Sequence, residues 1–314
     1  MNRKKLLVIA GPTASGKTAL GIALAERMNG EIISADSMQI YRGMDIGTAK
    51  ASPQEQKHIP HHMLDLLDPG EDYSVSRYVE DATAICEDLL QKGKLPVIVG
   101  GTGLYIDALL AGRQFAGKQQ ENAKLREELS AEYDRLGGEE MLKRLAQVDP
   151  ERAGKLAKSD KRRIVRALEV YSLTGRSITE HDAESRQLPP AYDALYVVLN
   201  YSDRAKLYEK IELRVDQMCR DGLFEETERL LARHISSEST CMQAIGYRQA
   251  AQALRGEISR DEAIALIKQA TRRYAKRQLT WFRRRENALW LQPDRLTTAE
   301  MADIVEQTIK RETK

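Results

Sequence analysis

The octapeptide "GPTASGKT" (Gly11, Pro12, Thr13, Ala14, Ser15, Gly16, Lys17 and Thr18) follows the apolar run "KLLVIA" and matches the pattern G-x-x-x-x-G-K-[ST]. Glycines at its two fixed positions let the backbone approach a ligand where a side chain would obstruct it. Backbone N–H groups then point at phosphate oxygens, and the helix expected to follow adds the positive end of its dipole. Lys17 is expected to neutralise phosphate charge, and the Thr18 hydroxyl to ligate Mg²⁺, the one cofactor anticipated. The expected ligand is therefore a chain of phosphates. The motif does not say whose phosphates they are, or whether a phosphoryl group ever moves.

Two further groups belong with the loop. Asp36 lies just past the short apolar run "EIISA", on the edge where open α/β sheets bind ligands. A carboxylate there either holds Mg²⁺ through water, acts as a general base, or simply caps a turn. Tyr41, Arg42 and Lys50, further along the same stretch, are either substrate contacts or solvated. Gly100, Gly101 and Thr102 end the run "LPVIVGG" on that edge, which turns Thr102 toward the same crevice. The cluster His58, His61 and His62 has no matching cysteine or acidic set at metal spacing, so a structural or surface role is expected.

The elements that must carry these groups alternate in character. "KLLVIA", "EIISA" and "LPVIVGG" are strand-like, whereas "KTALGIALAERM" and "SVSRYVEDATAICEDLLQKG" have helical spacing, the latter stopped by Gly93. Strands alternating with helices imply a parallel sheet with helices on its faces. After about Gly112 the chain turns charged, helical in period and poor in β-branched residues, until "DALYVVLNYSD" restores a strand. The expected fold is an α/β, P-loop kinase-like parallel sheet core. Residues 1–112 and 191–314 form it, 113–190 are a helical insertion domain, and the C-terminal region is helical and basic.

Composition narrows the class. The 314 residues are 42% hydrophobic and 31% charged, which suits a globular core and argues against disorder. No run of about 18 apolar residues exists to span a bilayer. The basic start is better read as leading into a first strand than as a signal peptide. Three widely spaced cysteines (Cys86, Cys219, Cys241) exclude a disulfide framework and suggest a reduced, cytoplasmic setting. With a net charge of only +2, any nucleic-acid surface must come from local clustering. Two such clusters exist. One holds Lys155, Lys158, Lys161, Arg162, Arg163 and Arg166. The other holds Arg272, Arg273, Lys276, Arg277, Arg283, Arg284 and Arg285, interleaved with Tyr274, Trp281 and Phe282. Cations with aromatics suit RNA that has unpaired bases, although a single charge run is more often a solvated helix face.

Together "GPTASGKT", "SADSMQIYRGMDIGTAK", "HHMLDLLDP", "VGGTGLY", "DKRRIVRALEV", "RVDQMCRDGLFEE", "AIGYRQ" and "KRQLTWFRR" resemble the bacterial tRNA dimethylallyltransferases, also called tRNA isopentenyltransferases. The motifs stand in the family's order over almost the whole chain. The resemblance implies transfer of a dimethylallyl group from dimethylallyl diphosphate to N6 of the adenosine just 3′ of a tRNA anticodon (position 37). It also implies an RNA channel, with the insertion domain binding the anticodon loop. By resemblance, residues 11–18 bind the diphosphate, Asp36 is the general base, Thr102 stands at the base entrance, and Arg214 sits with the transferring group. Asp36, Ser37, Met38 and Gln39 line the tRNA contact. Asp160, Lys161, Arg162, Arg163 and Ile164, with Cys241, Gly246, Tyr247 and Arg248, match further tRNA-contacting segments. A monomer with no obligate protein partner is expected. Three rival readings are a small-molecule P-loop kinase, a prenyltransferase acting on free AMP, and a nucleotide-gated RNA-binding switch.

Overall fold

The computed structural model describes residues 5–112, 122–187 and 189–312. They divide into two compact units, Met1–Leu110 with Ala191–Lys314, and Ala111–Pro190. The expected start of the insertion at residue 113 lies outside the described residues.

The first unit begins with β1 (Lys5–Ala10), α1 (Lys17–Arg27), β2 (Gly30–Ala35), α2 (Pro53–His58), β3 (His61–His62), α3 (Val75–Gln91), β4 (Leu95–Gly100) and α4 (Gly103–Ala111). β1 and β2 are buried almost along their whole length, the pattern of parallel strands covered on both faces. Helix α3 starts on Ser74, whose side chain accepts from Arg77 N, and stops before Gly93, which has φ 68°.

The insertion unit carries α5 (Ala123–Leu136), α6 (Gly138–Val148), α7 (Pro150–Ala153), α8 (Lys161–Thr174) and α9 (Ile178–Gln187). Its own core is formed by Leu129, Met141, Leu145, Ile164 and Leu168. The first unit then resumes with β5 (Asp193–Leu199), α10 (Arg204–Arg220), α11 (Leu223–Leu231), α12 (Tyr247–Leu254), α13 (Arg260–Phe282), β6 (Leu289–Leu291) and α14 (Thr298–Glu312). Strand β6 is an addition to the helical region expected there: "LWL" pairs in parallel with β5 at the sheet edge, too short to announce itself by period.

The six strands run in the order β3-β2-β4-β1-β5-β6, all pairs parallel. Gly100 is paired with both Ala10 and Ala35, and Ala10 also with Val198. That register is the main positional fact for function. It brings the segments beginning at Gly11, Asp36 and Gly101 to one edge of the sheet. A core of Leu7, Ile9, Leu20, Leu24, Val97, Val99 and Val197, closed by Met301 and Val305 from α14, holds the strands. A second cluster, with Tyr41, Met44, Val215, Leu223, Tyr247 and Ile267, packs the 38–50 loop onto the C-terminal helices.

Candidate active site

The phosphate loop turns on two glycines with positive φ, Gly11 at 144° and Gly16 at 85°. At Gly11 a Cβ would stand 2.5 Å from the Leu199 carbonyl oxygen, so glycine is required by contact as well as by φ. Ser15 Oγ donates to the Pro12 carbonyl at 2.8 Å, and Lys17 Nζ donates to the same oxygen at 2.6 Å. The half-buried Lys17 ammonium is lowered to about 7, first by burial and then by the Arg214 charge, with Asp36 opposing. Burial likewise depresses Arg214, again against the pull of Asp36. Arg214 and Thr18 have no side-chain hydrogen-bond partner among the described residues.

Asp36 leaves the end of β2 with Oδ1 accepting from Met38 N at 2.9 Å, an Asx turn that aims the carboxylate. Thr102 N donates to the Ala35 carbonyl at 3.0 Å, and Thr102 Oγ1 accepts from Ser37 N at 3.2 Å. The β2 and β4 loop segments are thus tied to each other. Tyr274, on α13, lies against the Thr102 and Gln278 side chains. Its phenol is raised by burial and by the Asp36 charge, so it stays protonated. Two cations, one carboxylate, a threonine and a neutral phenol therefore lie close to one another beside the phosphate loop. Such a group can stabilise new charge on a leaving diphosphate and accept a proton a short way off.

Several expected contacts are relocated. Ile164, Cys241 and Tyr247 have 0–1% of their surface exposed, and Gly246 is buried with them. Ile164 belongs to the insertion's core and Cys241 and Tyr247 to the second cluster of the first unit, because their apolar bulk fills those cores. Their side chains support the surface and do not form it. The accessible members are Arg162, Arg163 and Arg248, which are exposed, with Asp160 and Lys161 partly so. Lys161 pairs with Asp134 at 2.6 Å and Arg163 with Asp160 at 3.5 Å. Gln39 spends its amide on Ser34 Oγ and the Thr48 carbonyl, at 2.8 and 3.2 Å.

Tyr41 and Lys50 are neither substrate contacts nor solvated. Tyr41 is 1% exposed, and Lys50 bonds Tyr41 O, Asp45 and Asp65 at 3.0, 2.5 and 2.6 Å. His62 Nε2 meets the largely buried Glu31 at 2.6 Å, a structural contact, whereas His58 meets Glu26 at 3.3 Å on the surface.

Residue reasoning missed Glu226. This buried carboxylate accepts backbone N–H bonds from Asp45, Ile46 and Gly47 at 3.0–3.1 Å, and the Tyr247 hydroxyl at 2.6 Å. A Cβ at Gly47 would stand 2.6 Å from the Tyr247 ring. The signal was present. Leu223, Glu226, Thr227 and Leu230 share the buried helical stripe, so Glu226 fills an apolar slot.

The C-terminal basic cluster divides by face. Arg272 pairs with Glu212 and Arg285 with Asp107, both at 2.5 Å, whereas Arg273, Lys276, Arg277, Arg283 and Arg284 are exposed. No helix among the described residues is long and apolar enough to cross a membrane.

Known proteins resemble this chain over most of its length. The family model "IPP transferase" matches residues 39–285, and "Isopentenyl transferase" matches 4–66. A tRNA dimethylallyltransferase of Caldanaerobacter subterraneus subsp. tengcongensis is 45% identical over 297 residues, covering 94% of each chain. The crystal structure of a tRNA isopentenylpyrophosphate transferase from Staphylococcus epidermidis is 38% identical with a TM-score of 0.72, covering 98% of this chain and 100% of that one. A eukaryotic dimethylallyltransferase described as acting on tRNA gives a TM-score of 0.80 at 30% identity, over 92% of this chain and 74% of that one. With its parallel P-loop core and this coverage, the chain belongs to the IPP transferase family, the tRNA dimethylallyltransferases.

Proposed function

We propose that this protein transfers the dimethylallyl group from dimethylallyl diphosphate to N6 of the adenosine 3′ of the anticodon in tRNA. The observation that carries the reading is the meeting of Lys17, Arg214 and Asp36 beside the phosphate loop, with Thr102 tied to the backbone next to Asp36. In this reading the loop and Lys17 grip the diphosphate, and Arg214 faces the breaking C–O bond. The N6 amine attacks the allylic carbon, its proton passes to Asp36, and diphosphate leaves with the bonding electrons. The lone pair of N6 is conjugated into the purine, so proton removal helps most as the C–N bond forms. Donors fixed in advance around the leaving oxygen lower the barrier as charge develops there. The base must leave its stack to reach this crevice.

The donor set fits Mg²⁺, a hard cation that takes oxygen ligands. The Thr18 hydroxyl is free of other bonds among the described residues, and the Asp36 carboxylate acts electrostatically on the adjacent Lys17. Thr18 would hold the ion, which would supply charge neutralisation at the diphosphate. RNA would be met by the exposed cations of α13 and, in the 113–190 insertion, by Arg162 and Arg163 of α8. The protein would work where its tRNA is, in the cytoplasm.

The test separates binding from chemistry. Asp36→Asn is expected to lower kcat by roughly 10²–10⁴-fold while leaving the KM for dimethylallyl diphosphate near the wild-type value. Near-normal kcat in that variant at saturating substrates would remove Asp36 from the mechanism.

A further inference from the structure

Gln278 lies on the inward face of α13, 5% exposed, and both ends of its amide are in use. Oε1 accepts from Thr13 N at 2.9 Å, and Nε2 donates to the Gly101 carbonyl at 3.0 Å. A backbone N–H only donates and a carbonyl only accepts, so the amide orientation is forced and no carboxylate satisfies both ends. The two partners lie in loops leaving paired strand ends, one gripping phosphate and the other carrying Thr102. A Cβ at Gly101 would stand 2.1 Å from Nε2, so the approach needs glycine there.

Trp281, one turn on, and Arg285, just past the helix end, help to seat the same helix. Trp281 packs on Gly103, where a Cβ would lie 2.3 Å from its ring, and its Nε1 donates to Asp107 Oδ2 at 2.9 Å. Arg285 reaches Asp107 Oδ1 at 2.5 Å. Gln278 stands apart in bonding to the phosphate loop as well as to the 101–107 segment.

We propose that Gln278 is a positioning residue for the transfer reaction. It latches the Pro12–Thr13 peptide to the Gly101–Thr102 turn and so sets the separation between the bound diphosphate and the acceptor amine. The inference rests on the transfer reading above. Displacement at carbon needs nucleophile, carbon and leaving oxygen in line, and the groups holding the two ends sit on the two loops that Gln278 joins. A misplacement of about 1 Å in such a geometry costs up to roughly a hundredfold in rate. The latch also commits the Thr13 amide to the protein, leaving the other loop amides for phosphate.

Two variants of the full chain test it. Gln278→Met keeps the volume and loses both bonds; Gln278→Glu keeps an acceptor for Thr13 N and sets an oxygen against the Gly101 carbonyl. Three readouts are combined: hydrogen–deuterium exchange of the Thr13 amide, kcat and KM for each substrate per folded molecule, and thermal melting to give the folded fraction.

The latch predicts that Gln278→Met speeds Thr13 exchange by about tenfold or more and lowers kcat by roughly ten- to a hundredfold. Gln278→Glu should keep Thr13 slow and still lose kcat. In the wild type, inorganic diphosphate with Mg²⁺ should slow exchange in the 101–107 segment as well as in the loop. Values of kcat within about twofold of wild type per folded molecule in both variants would overturn the proposal. So would diphosphate protection confined to residues 11–18. If the wild-type protein itself transfers no dimethylallyl group, the activity reading fails, and the exchange data still decide whether the two loops are coupled.

Discussion

The charge of Lys17 is costly to the fold and, on the transfer reading, needed to hold the diphosphate. Its ammonium is lowered to about 7 by burial and Arg214, so the folded protein binds fewer protons than the unfolded chain between about pH 7 and 10.5. Stability contributed by this group therefore rises with pH through that window and is least below it. Lys17→Met should raise the melting temperature at pH 7 while abolishing tight diphosphate binding; an unchanged or lower melting temperature would contradict the burial argument. Diphosphate favours the charged form. Diphosphate itself titrates near neutral pH, so the contribution of Lys17 is the difference between wild type and Lys17→Met. The wild-type advantage in calorimetric affinity for inorganic diphosphate should shrink above about pH 7 by up to roughly tenfold per pH unit, until the raised pKa of the bound state is reached.

Elements explain what side chains alone do not. Glu226 on α11 holds three consecutive amides of the Asp45–Gly47 turn, and the Tyr247 hydroxyl at the start of α12 donates to the same carboxylate. Removing the carboxylate strands several buried donors at once. Glu226→Ala should cost about 3 kcal/mol or more in urea unfolding, and Tyr247→Phe about 1–3 kcal/mol. Equal, small losses in both would mean that the turn is held otherwise.

The same elements show what was legible beforehand. The phosphate loop, Asp36 and Thr102 could be read because strand, loop and helix are contiguous there, and parallel register brings strand ends to one edge. Gln278 and the bonds of Glu226 to the 45–47 turn join residues more than 170 apart in sequence, and Tyr247 meets Glu226 from 21 residues away. The helical stripe marks Glu226 as buried, but no local period names these partners. The alternation of strand and helix gave the core sheet, but β3 and β6, of two and three residues, were too short to carry a pattern.

At the scale of the whole molecule, a net charge of only +2 makes the distribution of cations the informative quantity. On α13 the outward positions 273, 276 and 277, and positions 283 and 284 in the turn that follows it, are basic and exposed, while Tyr274, Gln278 and Trp281 face inward. One helix thus carries exposed cations on one side and hydrogen bonds to the site loops on the other. Replacing Lys276 and Arg277 by alanine should weaken tRNA binding and reduce the slope of log affinity against log salt by about 1 per charge removed. The KM for dimethylallyl diphosphate should not move; a parallel rise in that KM would place these cations in the wrong role.

On the transfer reading, the phosphates gripped by residues 11–18 belong to a leaving group, and carbon is what moves. The direct measurement is to incubate the protein with isotope-labelled dimethylallyl diphosphate, Mg²⁺, labelled ATP and tRNA, and then to analyse anticodon-loop nucleosides by mass. Transfer should leave one labelled dimethylallyl group on the N6 of the adenosine 3′ of the anticodon, one diphosphate released per group, and untouched ATP. Consumption of ATP with phosphoryl transfer, or tRNA recovered without the label, would contradict it.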